Sequence, residues 1–93
     1  VIRLEVDEMF AEAIERIEEC GTGEFRKDLP KALRAVRETY EEMGMLTPLH
    51  GLVIGAACRR LDEIARELYP GRGDEGTVML SRQLREFKHR EGG

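Results

Sequence analysis

The stretch Thr47-Pro48-Leu49-His50-Gly51-Leu52-Val53-Ile54-Gly55-Ala56-Ala57-Cys58, continuing through Arg59-Arg60-Leu61-Asp62-Glu63-Ile64-Ala65-Arg66-Glu67-Leu68 to Tyr69-Pro70-Gly71, decides the fold. Thr47 can cap a helix with its hydroxyl, and Pro48 gives up an amide that the first turn leaves unpaired anyway. Pro70-Gly71 stops the same helix. The spacing predicts a helix over 48–69, roughly 33 Å long. Ile54, Cys58, Leu61, Ala65 and Leu68 recur by fours and threes and form its core-facing stripe. Its first half, however, is apolar nearly all round: Leu49, Leu52, Val53, Ile54, Ala56 and Ala57. A helix apolar on every side has to be buried on every side. A chain of 93 residues surrounds such a helix only in part. The expectation is therefore a subunit or partner interface at Leu49, Gly51, Leu52, Gly55 and Ala56.

The glycine pair points the same way. Gly51 and Gly55 are four apart, the spacing that lets two helix backbones approach closely. Glycine inside a helix costs about 1 kcal/mol relative to alanine. Close packing against another helix, or a ligand reaching the backbone, would offset that cost.

Three further segments carry the helical period. Val6, Phe10, Ala13, Ile17 and Cys20 predict a helix over 7–20, with Asp7 as cap and Gly21 as stop. Leu29, Leu33, Val36, Tyr40 and Met43 predict a second over 28–43, started by Asp28 and Pro30 and ended by Gly44. Leu80, Leu84 and Phe87 predict a fourth over 77–90, with Thr77 as its cap. Together these predict one all-α domain over 1–93, a bundle of about four helices completed by oligomerisation. Residues 2–6 alternate apolar and charged like a half-buried strand. A lone strand has no partner in this chain, so a helical or irregular lead-in is favoured and an intermolecular strand is the alternative.

Composition narrows the class of protein. Charged residues make up 37% of the chain, aromatics 5%, and there is no Trp. The core is thus expected from Leu, Ile, Val, Ala and Met. The net charge of −4 is uneven: residues 1–24 hold eight acids and two bases, a charge of −6, and the rest is weakly basic. An acidic first helix would be balanced by arginines packed against it, repel nucleic acid, or attract a basic protein surface. The longest charge-free run is broken by proline, histidine and glycine and is shorter than the ~20 apolar residues of a membrane span. Two cysteines 38 positions apart fit reduced thiols and a cytoplasmic setting better than a disulfide.

No catalytic set assembles from the sequence. Gly71-Arg72-Gly73-Asp74-Glu75-Gly76-Thr77 has the outline of a phosphate loop but lacks its lysine and carries two acids where phosphates would sit. Arg72, Thr77 and His50 remain candidates for a small anionic ligand such as a nucleotide at a subunit interface. His50 lies about 12 Å along the helix from Cys58, too far for proton transfer within one chain. Glu86 and His89 have the spacing of two metal ligands on one helix face, yet too few other ligands are present, and neither metal nor cofactor is expected. Arg82, Arg85 and Lys88 are candidates for phosphate contacts to nucleic acid, without the aromatic stacking set that usually accompanies them. The order strand-like 2–6, helix, turn, helix resembles a ribbon-helix-helix arrangement in outline, which implies a dimeric DNA-binding regulator. The leading expectation is a non-enzymatic interaction protein that self-associates and binds another macromolecule, as a regulator or inhibitor would.

Overall fold

The computed structural model describes residues 5–20, 25–68 and 75–92. Four helices run in chain order: α1 (Val6–Cys20), α2 (Phe25–Met43), α3 (Pro48–Leu68) and α4 (Glu75–Gly92). No strand occurs among the described residues. The fold is a small all-α bundle, as the four periodic segments predict. Residues 2–4 of the strand-like lead lie outside the described part, and Val6 already belongs to α1.

The core follows the sequence stripes closely. Phe10, Ala13 and Ile17 of α1, Leu29, Leu33 and Val36 of α2, Ile54, Cys58, Leu61 and Ala65 of α3, and Leu80, Leu84 and Phe87 of α4 are all buried. Met9 and Ile14 widen the stripe of α1, and Ala57 and Ile64 that of α3, toward the ~100° face that a globular helix buries. Phe87 is the aromatic centre. The Phe10 ring meets it edge-on at 5.9 Å and the Tyr40 ring at 5.0 Å, while the Arg90 guanidinium lies 5.8 Å above it.

Helix starts differ from expectation where local chemistry competes. Glu5, not Asp7, opens α1, because its carbonyl accepts the Met9 amide at 2.9 Å. Asp7 then sits in the first turn, where its charge suits the helix dipole. α2 begins at Phe25, so Pro30 lies inside the helix rather than at its start. Its ring is buried, and the only amide missing is the one that would reach the Arg26 carbonyl. Thr77 lies in the third position of α4 and is not its cap. α2 ends as expected: Gly44 has φ 69° and its amide bonds the Tyr40 carbonyl at 2.7 Å.

α1 packs beside α2, and α3 packs most closely with α4. α3 also adjoins α2 and α1, whereas α2 and α4 share no close backbone approach among the described residues. α3 therefore has α2 on one flank and α4 on the other. Two reciprocal hydrogen bonds pin α3 to α4: Ser81 Oγ donates to the Cys58 carbonyl at 3.3 Å, and Cys58 Sγ donates to the Ser81 carbonyl at 3.5 Å. Both side chains are buried, and burial pushes the Cys58 thiol above its ordinary value. No helix is long and apolar enough to cross a membrane among the described residues.

Candidate functional site

The start of α3 is set by its own side chains. Thr47 Oγ1 accepts the His50 amide at 3.2 Å, and His50 Nδ1 accepts the Thr47 amide at 3.3 Å. This is a capping box in which imidazole takes the place usually held by Glu or Gln. His50, a candidate ligand group from sequence, is thus engaged in holding the helix end.

Beyond that cap, four large apolar side chains face solvent. Leu49 is 67% exposed and Leu52 68%, one turn apart on α3. Met43 and Met45, in the last residue of α2 and the turn after it, are 57% and 54% exposed. The apolar first half of α3 is therefore only partly covered: Ile54, Ala57 and Cys58 are buried, Val53 and Ala56 pack against the core, and Leu49 and Leu52 are left outside. Of the five expected interface residues, the structure brings Gly51, Leu52 and Gly55 to one groove and exposes Leu49 beside it. It turns Ala56 inward.

That groove runs between α3 and α4, encloses about 440 Å³ and is open to solvent. Thr47, Pro48, Gly51, Leu52 and Gly55 line it from α3, and Arg85, Lys88 and His89 from α4. The sequence reading missed Thr47, Pro48 and His89 as lining residues. It also placed Met43 in the core stripe, whereas the structure leaves Met43 on the surface.

The glycines meet something other than expected. A Cβ built on Gly51 would lie 3.5 Å from Lys88 Cε, and one on Gly55 3.4 Å from Lys88 Nζ. Among the described residues no other heavy atom outside the local helix comes within 4 Å of either position. Within the chain, the pair accommodates one flexible side chain and no second helix backbone. Gly51→Ala and Gly55→Ala should then each stabilise the isolated fold by up to about 1 kcal/mol through helix propensity. Urea midpoints at low protein concentration check this. A clear loss of stability would mean the glycines serve the fold itself.

Charge divides across the site. On the α4 side Arg85 pairs with Asp62 of α3, and Lys88 is half-buried over the glycines. Arg82 and His89 are exposed. The three candidate phosphate contacts thus have separate circumstances: Arg85 is tied to a carboxylate, Lys88 lines the groove, and Arg82 stands on the surface. Glu18 of α1 pairs with Arg34 of the adjoining α2, an arginine packed against the acidic helix as the sequence suggests. On the α2 side Glu41 and Glu42 are exposed just before Met43. A hydrogen bond between the Glu41 and Asp7 carboxyls, and the charge of Asp7, raise the Glu41 carboxyl above its ordinary value.

The sign of that shift sets a pH dependence. A raised folded-state value stabilises the protein below the unfolded value and is lost as pH rises through the folded one. Raising the pH through the carboxylate range should therefore weaken the wild type relative to Glu41→Gln, a small effect because both groups are exposed. Parallel midpoint-against-pH curves for the two proteins would contradict it.

Thr77 is buried and its hydroxyl accepts a hydrogen bond from Arg16 of α1, so it ties two helices together. Arg72 lies outside the described residues. Among the described residues no three His, Cys, Asp or Glu side chains gather as metal ligands. No protein-family model, curated protein or solved structure matches this chain.

Proposed function

We propose that this protein is a small helical interaction module that self-associates and acts by binding another macromolecule rather than by catalysis. The observation that carries this reading is the exposed apolar strip of Leu49 and Leu52 on α3 beside the α3–α4 groove, with Met43 and Met45 also exposed in the chain just before α3. Single exposed aliphatic side chains are ordinary on a protein surface, whereas Leu49 and Leu52, exposed one turn apart on α3 at the rim of a groove, mark an interaction site. The glycines add to the argument. They weaken α3 and keep the groove floor low, while among the described residues only Lys88 approaches them. Sedimentation equilibrium at micromolar concentration tests the self-association. A mass that rises with concentration toward a dimer is expected, and a strict monomer overturns it.

A second reading draws on the groove volume and its basic wall. A cleft of about 440 Å³ lies within the ~300–1,000 Å³ usual for small-ligand sites, and Lys88 and His89 suit an anion. A thermal-shift screen with nucleotides separates the two. Ligand at 100 times its dissociation constant adds about 2.7 kcal/mol to stability. DNA binding draws less support, because Arg85 is already paired and the chain is acidic overall.

A further inference from the structure

Among the described residues, every ionisable side chain that lines the α3–α4 groove is a base, although the chain as a whole carries −4. The three bases of α4 are not equivalent. Arg85 is neutralised by Asp62. Lys88 is half-buried, lies over Gly51 and Gly55, and forms no hydrogen bond or ion pair among the described residues. A half-buried ammonium without a counterion has lost part of its water shell with nothing in exchange, and an anion in the groove supplies the missing partner. Two features narrow the anion. The start of α3, where a phosphate would find its amides, is nearly closed. Pro48 has no amide, and those of Thr47 and His50 are held by each other's side chains, which leaves Leu49 alone. No Phe or Tyr lines the groove to stack a nucleobase, and Pro48, Leu52 and the two glycines offer carbon instead.

We infer that the α3–α4 groove binds a small monocarboxylate with an apolar tail, its carboxylate on the Lys88 ammonium and its tail along Pro48, Leu52 and the glycine floor. The inference rests on the small-ligand reading of the groove and narrows that ligand to one class. A singly charged head matches the one unpaired ammonium, and exposed His89 beside it can donate a second N–H. The length also fits. Pro48 and Gly55 lie about 10 Å apart along α3, comparable to an extended chain of eight carbons. The Lys88 stem is flexible, so it can lift off the floor as its ammonium meets the carboxylate. The tail then rests where side chains on Gly51 and Gly55 would otherwise stand.

An NMR titration of the whole, isotopically labelled chain with octanoate tests it, read at the backbone amides of Gly51, Gly55 and His89. Those amides should shift and saturate with a dissociation constant of about 1 mM or tighter. Acetate, which has no tail, should bind at least about tenfold more weakly, the equivalent of two buried methylenes. Octanamide, which keeps the tail and loses the charge, should also bind about tenfold more weakly. Lys88→Gln should weaken octanoate by the same factor and leave octanamide unchanged, with circular dichroism checking that the fold persists. Octanoate and octanamide binding alike, acetate binding as tightly as octanoate, or an indifferent Lys88→Gln would each overturn the inference. ATP shifting these amides where octanoate does not overturns the carboxylate class and leaves the small-ligand reading standing. A spectrum unmoved by either anion overturns both.

Discussion

Phe87→Ala is expected to cost about 3–5 kcal/mol, the range for deleting a buried aromatic side chain. Phe87 is 1% exposed and is the one ring that both Phe10 and Tyr40 meet edge-on. Each edge-to-face pair is worth about 0.5–1.5 kcal/mol beyond its buried area, so truncation removes two such terms and opens a cavity. The Arg90 guanidinium loses its aromatic face as well. A domain of this size holds roughly 5–14 kcal/mol in total. The variant should melt about 15 °C or more below the wild type. Phe87→Leu keeps most of the volume and should fall between them. A Phe87→Ala protein that lost less than about 1 kcal/mol by urea unfolding would show that the ring cluster is not what joins α4 to α1 and α2.

The second large effect concerns association rather than folding. Leu49→Glu with Leu52→Glu should weaken dimerisation at least about 100-fold, equivalent to about 2.7 kcal/mol. By symmetry four leucines enter the interface, and each is worth about 1.5–3 kcal/mol when fully buried. The variant also sets two carboxylates against apolar surface, and a buried unpaired charge is disfavoured further. Because both leucines face solvent in the single chain, the melting temperature at low concentration should change little. Sedimentation equilibrium and dilute thermal melts read the two quantities separately. Wild-type dimerisation by this variant would place the interface elsewhere.

Much of the fold was legible in the sequence because helical period and stop signals are local. Leu33, Leu61 and Leu84 fall on their predicted stripes, and Gly44 ends α2 where the left-handed conformation is needed. Starts were less legible, since Pro30 reads as a first-turn residue although a helix tolerates it one turn later. The site was legible only in part. Exposed Leu49 and Leu52 follow from a helix too apolar for its length of chain to cover. Lys88 lying over Gly51 and Gly55 joins residues more than thirty positions apart, a relation that no local pattern carries. The pairing of Arg85 with Asp62, 23 positions apart, likewise lies beyond any local pattern. Met43 keeps the stripe's spacing and is exposed all the same, because spacing does not say which neighbouring helix will cover a position.

The edge-on contact of Tyr40 with Phe87 has an optical consequence. The chain has no tryptophan and only two tyrosines, so its near-ultraviolet signal is sparse. Tyr40 sits on the last turns of α2, half-exposed, at the end of the bundle that carries the apolar strip. Its phenol is held at a fixed angle in an asymmetric setting and lies close to Glu91. The molecule thus carries an intrinsic chromophore at that end, and occupation of the strip becomes readable as tyrosine ellipticity without attaching a dye.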